Sequence, residues 1–181
     1  MEFFVYHRDR PGSAALRDHM IEDHWSYMDQ FQDRMIARGP TLTPDGETAT
    51  GSVHIVDLRT AAEARAFAFD EPTYQAGVYR DVMLRRWRNL LGRTMWDYPP
   101  GRVESDGYLV IGLGGAKPVG PPPASDRLIA YGPLLSDNGD TQVGAAVLLQ
   151  APDPAAARAA LPPDTYAAVE VHHWASGGRP E

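Results

Sequence analysis

The sequence predicts an α+β fold built from two related units in tandem, packed against each other through their sheets. The chain repeats itself: shifted by 93 positions, Gly39-Pro40 falls on Gly132-Pro133, Gly51 on Gly144, and Ala64-Arg65-Ala66 on Ala157-Arg158-Ala159. Ten of 28 ungapped positions are identical across that stretch, where average residue usage would give roughly two. Strand-like and helix-like patterns also alternate along the first unit. Finally, 181 residues leave room for one ample domain or two small ones.

Each element has its own reason. Glu2-Phe3-Phe4-Val5-Tyr6 is aromatic and β-branched and reads as a strand, closed by the turn-prone Asp9-Arg10-Pro11-Gly12. Ser13 is placed to cap a long helix running to about Arg38, with no proline or glycine inside it, and Gly39-Pro40 would stop that helix. At helical spacing Leu16, Met20, Tyr27, Met28, Phe31 and Met35 all fall within about 80° of His24, a core-facing stripe with the histidine at its centre. Pro44-Asp45-Gly46 turns the chain into a second strand, Gly51 to Val56. Thr60-Ala61-Ala62-Glu63 has the spacing of a capping box and opens an alanine-rich helix to about Phe69. Val78 to Trp87 reads as a further strand, so the unit reads β-α-β-α-β.

The predicted organisation is a first unit over 1–91, a linker over 92–105 and a second unit over 106–181. The second copy is shorter. Val5 to Gly39 spans 34 positions and the corresponding Val110 to Gly132 only 22, with Gly114-Gly115 and Pro121-Pro122-Pro123 in what remains. Such a segment cannot carry the long helix. The chemistry-bearing residues go with it: Ser52 falls on Ala145 and His54 on Val147, and at a shift of 92, which lays Thr73-Tyr74 on Thr165-Tyr166, Asp70 and Glu71 fall on Pro162 and Pro163. The expectation is one functional pocket, in the first copy, with the second copy a structural partner.

Composition excludes several classes. Seventeen basic residues against 24 acidic leave a net charge of −7, which argues against nucleic-acid binding. No apolar run approaches membrane-span length, and the charged start does not read as a signal peptide, so a cytoplasmic location is expected. With no cysteine, thiol nucleophiles, disulfides and cysteine metal sites are excluded. Lys117 is the only lysine, and no glycine-rich phosphate motif leads into it. His172-His173 are adjacent in a strand and point to opposite faces, so no metal set and no cofactor are expected.

His24 leads the candidates, because a histidine on an apolar stripe needs a hydrogen-bonding partner. It reads either as a satisfied core residue or as a general acid or base in a cleft. Arg17, seven residues earlier on the same face, could bind a substrate oxyanion or snorkel past the helix start. Asp70 and Glu71, at the end of the second helix, could be solvated or could orient the imidazole. Ser52 and His54 alternate on one strand face, which suits a pocket wall and equally a plain exposed face.

In order along the chain stand Arg17, His24-Trp25-Ser26-Tyr27, Gly39-Pro40, Gly51-Ser52 and Glu71-Pro72-Thr73-Tyr74-Gln75-Ala76-Gly77-Val78-Tyr79. This ordered set resembles the YCII-related family of the dimeric α/β barrel superfamily, over about residues 1–90, with 125–175 similar to a degenerate second copy. The resemblance implies ferredoxin-like units, here forming an intrachain pseudo-dimer, either as a monomer or assembled further as a homodimer. It implies a site pairing the helix histidine, His24, with the carboxylate before the proline, where this sequence holds Glu71 preceded by Asp70. One family member resembles a dehydrochlorinase acting on a chlorinated hydroxyquinol. The expected function is cofactor-independent lyase or isomerase chemistry on a small aromatic or enol-type metabolite. His24 would move the proton, Glu71 or Asp70 would orient it, and Arg17 would bind an oxyanion. The alternative is a non-catalytic protein whose pocket only holds a small-molecule ligand.

Overall fold

The computed structural model describes residues 1–98, 106–115 and 118–179. Lys117 and the latter part of the expected linker lie outside them. The first half forms β1 (Glu2–Asp9), α1 (Ala14–His19), α2 (Ile21–Asp29), β2 (Met35–Leu42), β3 (Ala49–Asp57), α3 (Ala61–Phe69), α4 (Pro72–Gln75) and β4 (Tyr79–Trp87). The second forms β5 (Asp106–Leu113), β6 (Leu128–Leu135), β7 (Gln142–Ala151), α5 (Pro154–Arg158) and β8 (Ala168–Trp174). All strand pairings are antiparallel, in the closed order β1-β3-β2-β8-β5-β7-β6-β4. Each half therefore contributes a ferredoxin-like sheet, and two short seams close them into one barrel. Thr41 and Leu42 pair with Trp174 and His173 at one seam, and Arg86 and Trp87 with Leu135 and Leu134 at the other.

Side-chain alternation along the strands divides the core into three layers. Phe4, Tyr6, Val53, Ile55, Leu109, Ile111, Leu148, Trp87 and Trp174 fill the barrel interior. On the outer face of the first sheet, Phe3, Val5 and Val56 pack with Met28 of α2 and Ala64, Phe67 and Ala68 of α3. Among the described residues, the short α5 is the one helix on the outer face of the second sheet, and Leu90, Leu91, Val119 and Tyr166 pack against the same cluster.

The repeat extends to hydrogen bonds. In the β2–β3 turn Thr43 N donates to Thr48 O at 2.8 Å, and in the β6–β7 turn Ser136 N donates to Thr141 O at 2.8 Å. Thr60 caps α3 by accepting from Glu63 N at 3.0 Å, and Asp153 caps α5 by accepting from Ala156 N at 2.8 Å.

Two expectations are corrected. The helix after Ser13 does not run to Arg38: it breaks at Met20, ends at Asp29, and the chain from Met35 is strand β2. Each unit consequently has four strands, not three. The apolar residue at 35 still packs against the helices, among Met28 and Phe67, so the stripe counted a strand residue as a helical one. Pairing with β3 from Met35 to Leu42 decides the segment against its helix-compatible composition. Ser13 also does not cap; its hydroxyl donates to Arg10 O at 2.7 Å.

Gly39-Pro40 is thus the interior of a strand, not a stop, and its glycine has a packing reason. A Cβ at Gly39 would lie 1.9 Å from Ala175 O, where the chain leaving β8 crosses β2. At Gly132 the same atom would lie 1.8 Å from Arg88 O, where the chain leaving β4 crosses β6. Gly177 N donates to Arg38 O at 3.1 Å and Leu90 N to Tyr131 O at 3.0 Å, the same crossing in each half. The repeated Gly-Pro is a mark of barrel closure.

Candidate active site

The site lies on the outer face of the first sheet, between β3, β2 and the α1–α2 pair. Proline at the first position of α4 and Glu71 before it set one side. Glu71 is the N-cap of α4, with Oε2 accepting from Tyr74 N at 2.6 Å. Its other oxygen, Oε1, is 2.8 Å from His24 Nδ1. The Glu71 side chain is fully buried and that of His24 is 12% exposed. Burial alone would raise the Glu71 carboxyl. The hydrogen bond and charge of His24, with the N–H groups of Thr73 and Tyr74, outweigh it and hold the group below the ordinary glutamate value. An ionised carboxylate only accepts, so Nδ1 carries the proton and Nε2 is left as the basic nitrogen.

Behind this pair the sheet supplies a row of buried polar groups. The His54 ring lies 5.5 Å from that of His24 and 6.1 Å from that of His7. Burial holds His7 down at about 4, against its hydrogen bond to Ala68 O at 2.8 Å. Burial, reinforced by the charge of His24, holds His54 well below the ordinary histidine value. Both are neutral at pH 7. Burial also raises the Tyr79 hydroxyl, and the Glu71 charge adds to the effect. Arg17 donates to Asp9 Oδ1 at 2.8 Å and to Ser52 Oγ at 2.6 Å. Burial raises the Asp9 carboxyl, and Arg17 opposes the rise.

Arg17, His24, Ser52 and His54 line one cavity of about 290 Å³, with Trp25, Met28 and Pro40 as apolar walls. That is room for about ten waters and at the lower edge of the range for small-molecule sites. A wider cavity of about 1230 Å³ shares Arg38 and Gly177-Gly178 with it and runs along the β2–β8 seam past Trp96 and Trp174. Among the described residues no group of three or more His, Asp or Glu is arranged to hold a metal ion.

The structure thus brings His24 and Glu71 together and joins Arg17 to Ser52, with His54 alongside. It separates Asp70, which stays exposed at the C-terminal cap of α3. A carboxylate there follows the helix axis outward, whereas the extended backbone of Glu71 turns its side chain inward. The expectation that the pocket belongs to residues 1–90 alone is also corrected: Ser176, Gly177 and Gly178, which follow β8, form part of its wall. Sequence reasoning missed Arg38 too, having placed it at a helix end. The 93-residue shift, which lays Arg38 on Tyr131 within the strand-like Leu128 to Leu135, was the signal that could have found it.

A closed barrel of two ferredoxin-like sheets, with a part-buried histidine–carboxylate pair under one helical layer, defines a protein of the dimeric α/β barrel class. Residues 1–88 match the YCII-related domain. An uncharacterized protein of Haemophilus influenzae is 27% identical over 97 residues, covering 50% of this chain and 99% of its own length. A 5-chloro-2-hydroxyhydroquinone dehydrochlorinase from Burkholderia phenoliruptrix AC1100, solved with 2,5-dihydroxybenzoquinone, is 29% identical. It matches 49% of this chain and 95% of its own, with a TM-score of 0.46. A monooxygenase-like structure from Lactobacillus acidophilus NCFM is similar over 98% of this chain and 97% of its own, at 6% identity and a TM-score of 0.52. That last similarity concerns the fold. No helix among the described residues is long and apolar enough to cross a membrane.

Proposed function

We propose that this protein is a cofactor-independent lyase or isomerase that moves a proton on a small aromatic or enol-type metabolite. The observation that carries the reading is the 2.8 Å contact between His24 Nδ1 and the buried Glu71, at the edge of a cavity of ligand size. The carboxylate fixes the imidazole tautomer and stabilises the imidazolium that forms when Nε2 takes a proton. The electron pair left on the substrate either recaptures that proton at another atom, giving an isomer, or expels a leaving group, giving an elimination product. His7 and His54 stay neutral, so they do not compete with His24 for the positive charge. Asp9 and Ser52 hold Arg17 against the sheet, where it forms part of the cavity wall.

The test is solvent exchange. Hydroxyquinols, hydroxybenzoquinones and enolisable ketones are incubated in D₂O with wild type, His24→Gln and Glu71→Gln, and deuterium uptake at carbon is followed by NMR. The expected loss in His24→Gln is about 10²–10⁴-fold, with a smaller loss in Glu71→Gln. Exchange by His24→Gln equal to wild type sinks the proposal. Binding without exchange in any variant replaces it with the ligand-holding alternative.

A further inference from the structure

We propose that Arg38, held by the segment that follows β8, is an anion-binding subsite of this cavity, so that it takes small metabolites bearing a carboxylate or phenolate. The inference rests on the cavity being a ligand site and not on the chemistry performed there.

Two arginines line the cavity, and they are not equivalent. Arg17 is committed: Asp9 neutralises it at 2.8 Å, and Ser52 and Gly51 O take further N–H groups at 2.6 and 3.4 Å. Arg38 has no carboxylate partner among the described residues. Its Nε donates to Gly177 O at 3.1 Å, and its guanidinium carbon sits 5.9 Å from the Trp96 ring centre. A guanidinium carries five N–H donors, so most of its capacity remains unspent. Among the described residues that line the cavity, the one carboxylate, Asp18, is exposed on α1.

Arg38 is also placed and held for such a role. It stands directly opposite His54 in the β2–β3 register, and the His54 ring is 5.5 Å from that of His24. An anion on the guanidinium would therefore lie on the same face as the histidine pair. The segment after β8 fixes the group from behind. Ala175 N donates to Pro40 O and Gly177 N to Arg38 O, both at 3.1 Å. Gly178 leaves room where a Cβ would lie 2.6 Å from Arg38 Nη2. Arg179 then fastens the segment to α2, with Nη1 2.6 Å from Glu22 and its guanidinium 5.4 Å from the Trp25 ring. A cation fixed in place before the ligand arrives loses little freedom on binding, and a carboxylate accepts from it in a charge-assisted pair. The second half, which bears no catalytic candidate of its own, thus shapes the ligand specificity of the first.

The probes are 2-hydroxybenzoate and its neutral isostere 2-hydroxybenzamide, titrated by calorimetry into wild type, Arg38→Gln and Arg38→Lys. Wild type is expected to bind the carboxylate about tenfold or more tighter than the amide. Arg38→Gln should lose that preference, the carboxylate affinity falling to the level of the amide, and Arg38→Lys, which keeps the charge without the fork, should recover part of it. Thermal unfolding checks that each variant is folded. Failure of wild type to bind the carboxylate, equal binding of both probes, or a preference that survives Arg38→Gln overturns the proposal. An anion preference lost in Arg38→Gln without any deuterium exchange keeps this subsite and removes the proton-transfer reading; exchange without an anion preference does the reverse.

Discussion

Replacing Gly39 with alanine should open the seam where the chain leaving β8 crosses β2. The added Cβ would sit 1.9 Å from Ala175 O, a backbone atom that cannot swing aside as a side chain can. Relief requires the 175–177 segment to lift. That breaks the bonds from Ala175 N to Pro40 O and from Gly177 N to Arg38 O, and strains the one from Arg38 Nε to Gly177 O, all at 3.1 Å. At roughly 1 kcal/mol for each hydrogen bond, with about 1–3 kcal/mol for the crowding itself, the loss is about 3–5 kcal/mol. For a chain of this length, that lowers the thermal midpoint by about 10 °C. Gly132→Ala, facing Arg88 O at 1.8 Å, should cost a similar amount at the opposite seam. The control is Gly120→Ala, where a Cβ meets nothing within 4 Å and a change within about 0.5 kcal/mol is expected. The assay is urea and thermal unfolding of the three variants side by side. A Gly39→Ala midpoint within about 2 °C of wild type would show that the crossing carries no weight and that the repeated Gly-Pro has another cause.

Other outcomes follow from the same geometry. The folded-state depression of Glu71 adds stability that is present above the ordinary glutamate value and lost as pH falls through the lower folded value; Glu71→Gln should flatten that acid limb in pH-dependent unfolding. His7 is depressed to about 4, so the unfolded chain takes up its proton first as pH drops below the ordinary histidine value. Its contribution, about 3 kcal/mol, should vanish between roughly pH 6.5 and 4, and a His7→Gln variant with an unchanged slope there would contradict this. Thr60→Ala and Asp153→Ala each remove a side-chain cap and should each cost about 1 kcal/mol in denaturant unfolding. Residues 1–91 expressed alone leave the barrel face of their sheet, with Phe4, Tyr6 and Ile55, without the opposite sheet. They should dimerise or aggregate, as read by light scattering.

Much of this fold was written in the repeat. The matched turns, the paired caps and the missing helix of the second copy could all be read from residue identities, because short-range hydrogen bonds and chain length set them. The stretch from Gln30 to Leu42 could not be read by periodicity. Met35 and Ile36 suit a helix locally, and only pairing with β3, a contact across the sheet, makes them strand. Laying Met35 to Leu42 over Leu128 to Leu135 would have resolved the conflict, since Leu128-Ile129-Ala130-Tyr131 reads as strand. At the site, His24 was legible as a polar interruption of an apolar stripe, and Glu71 through the ordered motif. The choice between Asp70 and Glu71 depended on how the chain turns into α4, which composition does not encode. Arg38 went unseen for the same reason that β2 did, and Ser176 to Gly178 because a wall built from 120 or more residues away leaves no local trace.

The covalent joining of the two sheets has an evolutionary consequence. When a barrel is assembled from two identical subunits, every codon change is expressed twice, once on each side of the axis. A substitution that improves the crossing segment as a pocket wall must then also be tolerated at the opposite crossing. In this chain the two crossings are encoded separately. Ser176 to Gly178 serve as a wall of one pocket, with Arg179 fastening them, while Leu90 and Leu91 give apolar cover to the other sheet. Separate encoding thus frees each half from mirroring the other, and one half can carry fewer helices over its sheet without the other having to follow.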